Sequence, residues 1–314
     1  MRSLNRPAAV FAAALLLAAC SSPGQSSAPP AMASPAAPGG SGSPSTATIF
    51  PVIVSSEVVV GPNRLLFSFL DASGAKPIAA PDRTASVAFT GPGGEEIAAS
   101  NGEFIWAIEG TSGLYVTHAD FPVAGSWTAT FTTSAPGAPE ASIPFGFDVL
   151  EDAAVVRPGE LAPDVDTPTL EDVGGEIEQI SSDEEPEPSF YETSVADALA
   201  ADEPFVLAFA TPAFCQTQVC GPTLEKVKEV AADHPEMTFI NVEPYETTFA
   251  DGQLQPVLDE NNLLQPVEAS DAFRLRTEPY IFVVDGEGRV AESFELIFST
   301  EEIDAAIAAV TATD

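Results

Sequence analysis

The spacing of apolar residues changes character twice along the chain. From 48 to 150, short apolar or alternating runs recur, among them Val52-Ile53-Val54, Val58-Val59-Val60, Leu65-Leu66-Phe67-Ser68-Phe69-Leu70, Ala85-Ser86-Val87-Ala88-Phe89 and Trp127-Thr128-Ala129-Thr130-Phe131. Turn signals such as Asp71-Ala72-Ser73-Gly74, Gly91-Pro92-Gly93-Gly94 and Ala124-Gly125 separate them. About eight short strands over about a hundred residues predict an antiparallel β-sandwich. In such a fold Tyr115 and Trp127 are expected in the core rather than on a binding face.

From 190 to 314 the pattern alternates between helix and strand. Helices are predicted over 193–201 and 223–232, the second with Leu224, Val227, Val230 and Ala231 on one face. Apolar strands are predicted at 204–210 and 237–242, paired in parallel as a βαβ unit. Further helices are predicted near 254–264 and 269–275. A hairpin follows, built from 280–284, the turn Asp285-Gly286-Glu287-Gly288 and 289–296. Ser299 and Glu302 form a capping box for a last helix with Ile303, Ala306, Ile307 and Val310 inward. The fold class expected is therefore multidomain, a β-sandwich over 48–150 followed by an α/β domain over 190–314.

Two stretches break this periodicity. Residues 20–47 are dominated by Ser, Pro, Ala and Gly and predict a flexible tether. Residues 151–189 are acidic and proline-rich, with Asp183-Glu184-Glu185-Pro186-Glu187-Pro188 as the extreme, and predict a linker or an extended lead-in. The stretch Gly159-Glu160-Leu161-Ala162-Pro163-Asp164 within it resembles the lead-in of extracytoplasmic thioredoxin-like domains, and that resemblance implies a second domain beginning near 158.

The chain opens with Arg2 and Arg6 and an apolar stretch over 8–19, too short to span a bilayer, which is the pattern of a signal peptide over 1–19. Leu17-Ala18-Ala19-Cys20 resembles a bacterial lipobox. That resemblance implies cleavage before Cys20, lipidation of its sulfur and anchoring on the extracytoplasmic side of the cell membrane. The remaining charge is 9 basic against 47 acidic residues, or −38. Nucleic acid and anionic headgroups would be repelled, so neither is an expected partner.

With Cys20 serving as an anchor, Cys215 and Cys220 are an even pair in a disulfide-permissive compartment. They follow the apolar run at 204–210 directly and precede a helix, where backbone N–H groups stabilise a thiolate. Five residues of helix turn about 500°, so both thiols cannot face one way on an undistorted helix. Pro222 as first helical residue would leave Cys215 and Cys220 in the loop ahead of it.

Strand, cysteine pair and the later Thr277-Glu278-Pro279 together resemble a thioredoxin-like domain. The resemblance implies that Pro279 is cis and near Cys215, that Cys215 is the attacking thiol and Cys220 the resolving one, and that Phe214, Thr277, Glu278 and Pro279 line the substrate groove. Gly113-Leu114-Tyr115 with the stretch from Phe121 to Trp127 resembles immunoglobulin-like envelope modules of the YtkA type. The four-residue gap also resembles Q-type peroxiredoxins, which would give Arg274 or Arg276 a role at the thiolate. Val219-Cys220-Gly221-Pro222-Thr223-Leu224 resembles the Sco copper proteins, but those need a later histidine as ligand. The last histidine here is His234, at the end of the following helix. No metal and no cofactor are expected.

Glu278 would raise a neighbouring thiol's pKa and so oppose thiolate formation. The expected function is a membrane-anchored thiol–disulfide oxidoreductase acting on protein clients with thiols or disulfides. A non-catalytic envelope binding or scaffold lipoprotein with a structural disulfide is the alternative, and a thiol peroxidase a further one.

Overall fold

A computed structural model describes residues 49–312; the expected signal peptide, Cys20 and the tether lie outside them. The N-terminal part contains β1 (Ile49–Ile53), β2 (Gly61–Asp71), β3 (Thr84–Thr90), β4 (Glu96–Asn101), β5 (Glu103–Ile108), β6 (Ser112–Phe121), β7 (Gly125–Ser134) and β8 (Ala141–Val149). They form two antiparallel sheets of order β1-β2-β6-β5 and β4-β3-β7-β8. Phe67, Phe69, Phe89, Tyr115, Phe121 and Phe131 fill the space between the sheets, with Trp127 at one end. The polar tips of the two expected core aromatics are satisfied, since Trp127 Nε1 donates to the Val123 carbonyl and Tyr115 OH to that of Ala80.

The run at 58–60 is not a strand. Asn63 accepts from Val59 N–H and donates to Val59 O, which takes that backbone out of ladder pairing and leaves one bridge, Val59 to Leu150. β4 is mostly exposed, so it shows no apolar alternation in the sequence.

The C-terminal part contains α1 (Val195–Ala200), β9 (Phe205–Phe209), α2 (Cys220–Asp233), β10 (Thr238–Val242), β11 (Thr247–Ala250), β12 (Gln253–Pro256), α3 (Glu268–Ala272), β13 (Tyr280–Val284), β14 (Val290–Glu295) and α4 (Thr300–Thr311). Its sheet has the order β10-β9-β13-β14, with β10 parallel to β9 and the other pairs antiparallel. Every residue of β9 and β13 is buried, because α2 and α4 pack on one face while α1 and α3 pack on the other. The capping box at Ser299 and Glu302 is formed, and Ile303, Ala306, Ile307 and Val310 point inward.

The expected helix at 254–264 is absent. Leu254 instead pairs with Phe249 across the β11–β12 hairpin, whose turn residues Asp251 and Gly252 both have positive φ (53° and 77°). That is the backbone a two-residue Asp-Gly hairpin turn requires.

The acidic stretch after the sandwich is laid against the α/β sheet rather than strung between domains. Val155, Val156, Ala162 and Val165 are buried in the cluster that includes Phe209 and Phe282. Gly159 N–H donates to Val290 O and Val290 N–H to Glu160 O, which adds a short pairing along the free edge of β14. At the opposite edge Phe190 stacks on Phe239 of β10 (5.6 Å between centroids). The pairing at β14 satisfies backbone groups that a free sheet edge would otherwise present.

The sandwich and the α/β part also touch directly. Leu66, Ile105 and Val116, on the outer face of the β1-β2-β6-β5 sheet, pack with Val219, Leu296 and Ile297. Arg64 frames this contact: it pairs with both oxygens of Glu302 (2.7 and 2.9 Å), donates to Ile297 O and lies over the Phe294 ring. Lys226 Nζ donates to Trp106 O and Phe298 O.

Candidate functional site

β9 delivers the chain to Thr211, after which residues 212–219 form an irregular loop before α2. Gln218 is in the left-handed region (φ 67°). Helix α2 begins at Cys220 itself, not at Pro222. Pro222 occupies the third helical position, where the N–H it lacks would have had no intrahelical acceptor. The expected separation of the two cysteines is met by this irregular loop, and Cys215 and Cys220 are joined as a disulfide with a Cα–Cα distance of 5.9 Å.

The two sulfurs are not equivalent. Cys220 is fully buried in the core under α2, whereas Cys215 is only half-buried. The backbone N–H of Cys220, the first of α2, donates to Cys215 Sγ at 3.2 Å. An N–H at the positive end of a helix of fourteen residues is suited to hold negative charge on that sulfur.

The peptide bond between Glu278 and Pro279 is cis. The loop it shapes lies across the disulfide: Thr217 Oγ1, 3.3 Å from Cys215 Sγ, donates to Glu278 O, and Gln216 N–H donates to Glu278 Oε1 at 2.7 Å. Glu278 is 3% exposed, and its other oxygen accepts from Tyr245 OH at 2.5 Å. Burial, with the hydrogen bond to Glu278 and its charge, pushes the Tyr245 phenol above its usual range, so it remains a donor. Tyr245 was not singled out by sequence. Gln216 Nε2 donates to it in turn, closing a polar ring around the carboxyl.

Of the expected groove residues, Phe214 and Thr277 are half-buried, while Glu278 and Pro279 are buried. The accessible rim beside Cys215 therefore consists of Phe214, Gln216, Thr277 and Tyr245, with Pro279 beneath rather than at the surface. Among the described residues, Cys215, Cys220 and Glu278 are the one group with metal-ligand spacing, and two of its three donor atoms are bonded to each other. His234 is paired with Asp304 (3.0 Å) at the far end of α2. Arg274, named for the peroxidase reading, pairs with Glu160 instead.

A buried polar network that sequence reading missed lies beyond Thr211. Tyr191 OH donates to Ser181 Oγ and accepts from Asn241 Nδ2, and Ser182 N–H donates to Glu243 Oε1 at 2.6 Å. Burial raises the Glu243 carboxyl and lifts Tyr191 to about 12, in each case against hydrogen bonds that lower it. An asparagine inside the apolar strand Phe239-Ile240-Asn241-Val242 was the available signal. A cavity of about 960 Å³ between the sandwich and the α/β part takes in Arg274 but neither cysteine nor any of the expected groove residues. No helix among the described residues is long and apolar enough to cross a membrane.

No protein-family model and no curated protein matches the chain. Among solved structures it is similar to a DUF4426 family protein from Pseudomonas aeruginosa PAO1, at 14% identity over 30% of this chain and 68% of that one, with a TM-score of 0.23. So slight a likeness carries no argument about fold or function.

Proposed function

We propose that the chain is an extracytoplasmic thiol–disulfide oxidoreductase, held at the membrane by lipidated Cys20, whose C-terminal part is a thioredoxin-like domain and whose sandwich is immunoglobulin-like. The asymmetry of the disulfide carries this reading. Cys215 is the sulfur a partner can reach and the one that accepts the first N–H of α2, while Cys220 is sealed in the core.

In the oxidised state a client thiolate attacks Cys215 Sγ and the bond to Cys220 breaks, leaving Cys220 as thiolate and then thiol. A second client thiolate attacks the mixed disulfide and releases Cys215. The client gains a disulfide, and the pair is reduced by two electrons and takes up two protons. Run backwards, the same steps reduce a client. The cis-proline loop lies against the reacting sulfur, where Glu278 opposes the thiolate that the first N–H of α2 favours.

Equilibration in defined thiol buffers tests it, with the redox state read by alkylation and mass. The pair is expected to titrate above about −300 mV, and a pair still oxidised below that value would be a permanent crosslink. A Cys220→Ser variant should accumulate mixed disulfides through Cys215; recovering none would count against the mechanism.

A further inference from the structure

Glu278 is a buried carboxyl group without a cation. It is 3% exposed, and among the described residues it takes part in no ion pair with Lys, Arg or His. Its two oxygens each accept one hydrogen bond, from Gln216 N–H and from Tyr245 OH, and each keeps a further lone pair. Buried charges in proteins are paired or coordinate metal ions. Beside a thiolate this carboxyl adds like charge, which hinders thiol exchange rather than helping it.

The donors around it form a set. Cys215 Sγ, Cys220 Sγ and an oxygen of Glu278 lie within 4.8 Å of one another. In the oxidised chain the sulfurs are spent on each other, and once the pair is reduced all three donors become available. Cys215 keeps its place on reduction, because Gln216 N–H and Thr217 Oγ1 hold the following residues to Glu278 through bonds that do not involve the disulfide. Cys220 is fixed as the buried first residue of α2. Sulfurs about 2.3 Å from a tetrahedral ion stand about 3.8 Å apart, a separation that rotation of the two side chains supplies while the Cα atoms remain 5.9 Å apart.

Two thiolates and one carboxylate select zinc among common ions. A soft monovalent ion is satisfied by sulfur alone and calcium or magnesium by oxygen alone, whereas zinc takes both kinds of donor. Its two positive charges offset most of the negative charge that three ionised donors would otherwise bury.

We propose that the reduced chain binds one zinc ion through Cys215 Sγ, Cys220 Sγ and Glu278, with water as a fourth ligand reaching it past half-buried Cys215. Binding displaces the two thiol protons and transfers no electron, and oxidation of the pair to the disulfide expels the ion. The site needs a reduced pair but no exchange with clients, so its failure and that of the oxidoreductase reading show in different measurements.

Cobalt(II), a spectroscopic stand-in for zinc, is titrated into the full chain after chemical reduction and anaerobic removal of the reductant. One equivalent is expected to bring up a thiolate-to-cobalt charge-transfer band and the visible bands of a tetrahedral ion, and zinc should erase both. The oxidised chain should show neither. Glu278→Gln should weaken cobalt binding by at least about tenfold. Should that variant fail to fold, X-ray absorption by zinc on the reduced wild-type chain takes its place, with two sulfur ligands at about 2.3 Å and oxygen ligands at about 2.0–2.2 Å expected. Charge-transfer absorption missing from the reduced chain would overturn the proposal, as would equal affinity in a folded Glu278→Gln variant or a zinc shell of oxygen alone or sulfur alone. Tetrahedral bands in the oxidised chain would also overturn it, by locating the ion on the acidic surface. Mixed disulfides recovered with Cys220→Ser bear on the oxidoreductase reading alone.

Discussion

Glu278 and the first N–H of α2 act on Cys215 in opposite senses. The N–H favours charge on sulfur, whereas a carboxylate within 4.8 Å disfavours it. Replacing Glu278 by Gln keeps an acceptor for Gln216 N–H or Tyr245 OH and removes the charge. In the reduced protein this should make the Cys215 thiolate easier to form, and so raise iodoacetamide alkylation at neutral pH severalfold, about 2- to 10-fold. Alkylation unchanged in Glu278→Gln would mean that the helix end alone governs this sulfur. The site was partly legible at this scale. Cys215 and Cys220 were readable because local order, strand then thiols then helix, is written in sequence, whereas the cis bond at Pro279 was expected only from the resemblance to thioredoxin-like domains. Tyr245 was not, since it reaches Glu278 from 33 residues away and sits in no motif of its own.

At the scale of elements, amphipathic periodicity served well wherever one face meets a core. α4 and the inward positions of α2 are where the spacing placed them. It failed where local spacing imitated another element. Leu254, Val257 and Leu258 fall at helical intervals, but Asp251-Gly252 ahead of them favours a hairpin, and backbone pairing with β11 decides the outcome. Composition left 151–189 open between a linker and an extended lead-in, because the few apolar residues that fix it are each placed against an existing sheet. Val156 shows this, 2% exposed with its N–H donating to Phe273 O. Val156→Ala should therefore cost about 1–2 kcal/mol of stability, read as a lowered urea midpoint at unchanged slope. A residue in a detached linker would leave the midpoint where it was.

For the molecule as a whole, stability should depend on pH in a definite direction. Burial raises the folded-state pKa of Glu243, Glu292 and Glu295 above the ordinary 4.5. These groups hold their protons in the folded state after the unfolded chain has lost them, so stability falls as pH rises from about 4.5 through their raised values. Glu302 behaves oppositely. Burial raises it, but Arg64 and the Ser299 N–H together hold it below 4.5, and its contribution, present above that value, is lost as pH falls through the folded pKa. The oxidised protein should accordingly have a higher urea midpoint at pH 5 than at pH 8, and Glu295→Gln should reduce the difference. A midpoint equal or higher at pH 8 would contradict this.

The contact of Val219 with Leu66 and Ile297 has a consequence for traffic at the disulfide. The residue next to the sealed sulfur is pinned beneath a second domain, so the sandwich works as a blind side. On the proposed function, a client reaching Cys215 comes from the side away from the sandwich, where Tyr245 stands. On the same reading small thiols should reduce the pair at least as readily as folded protein clients do.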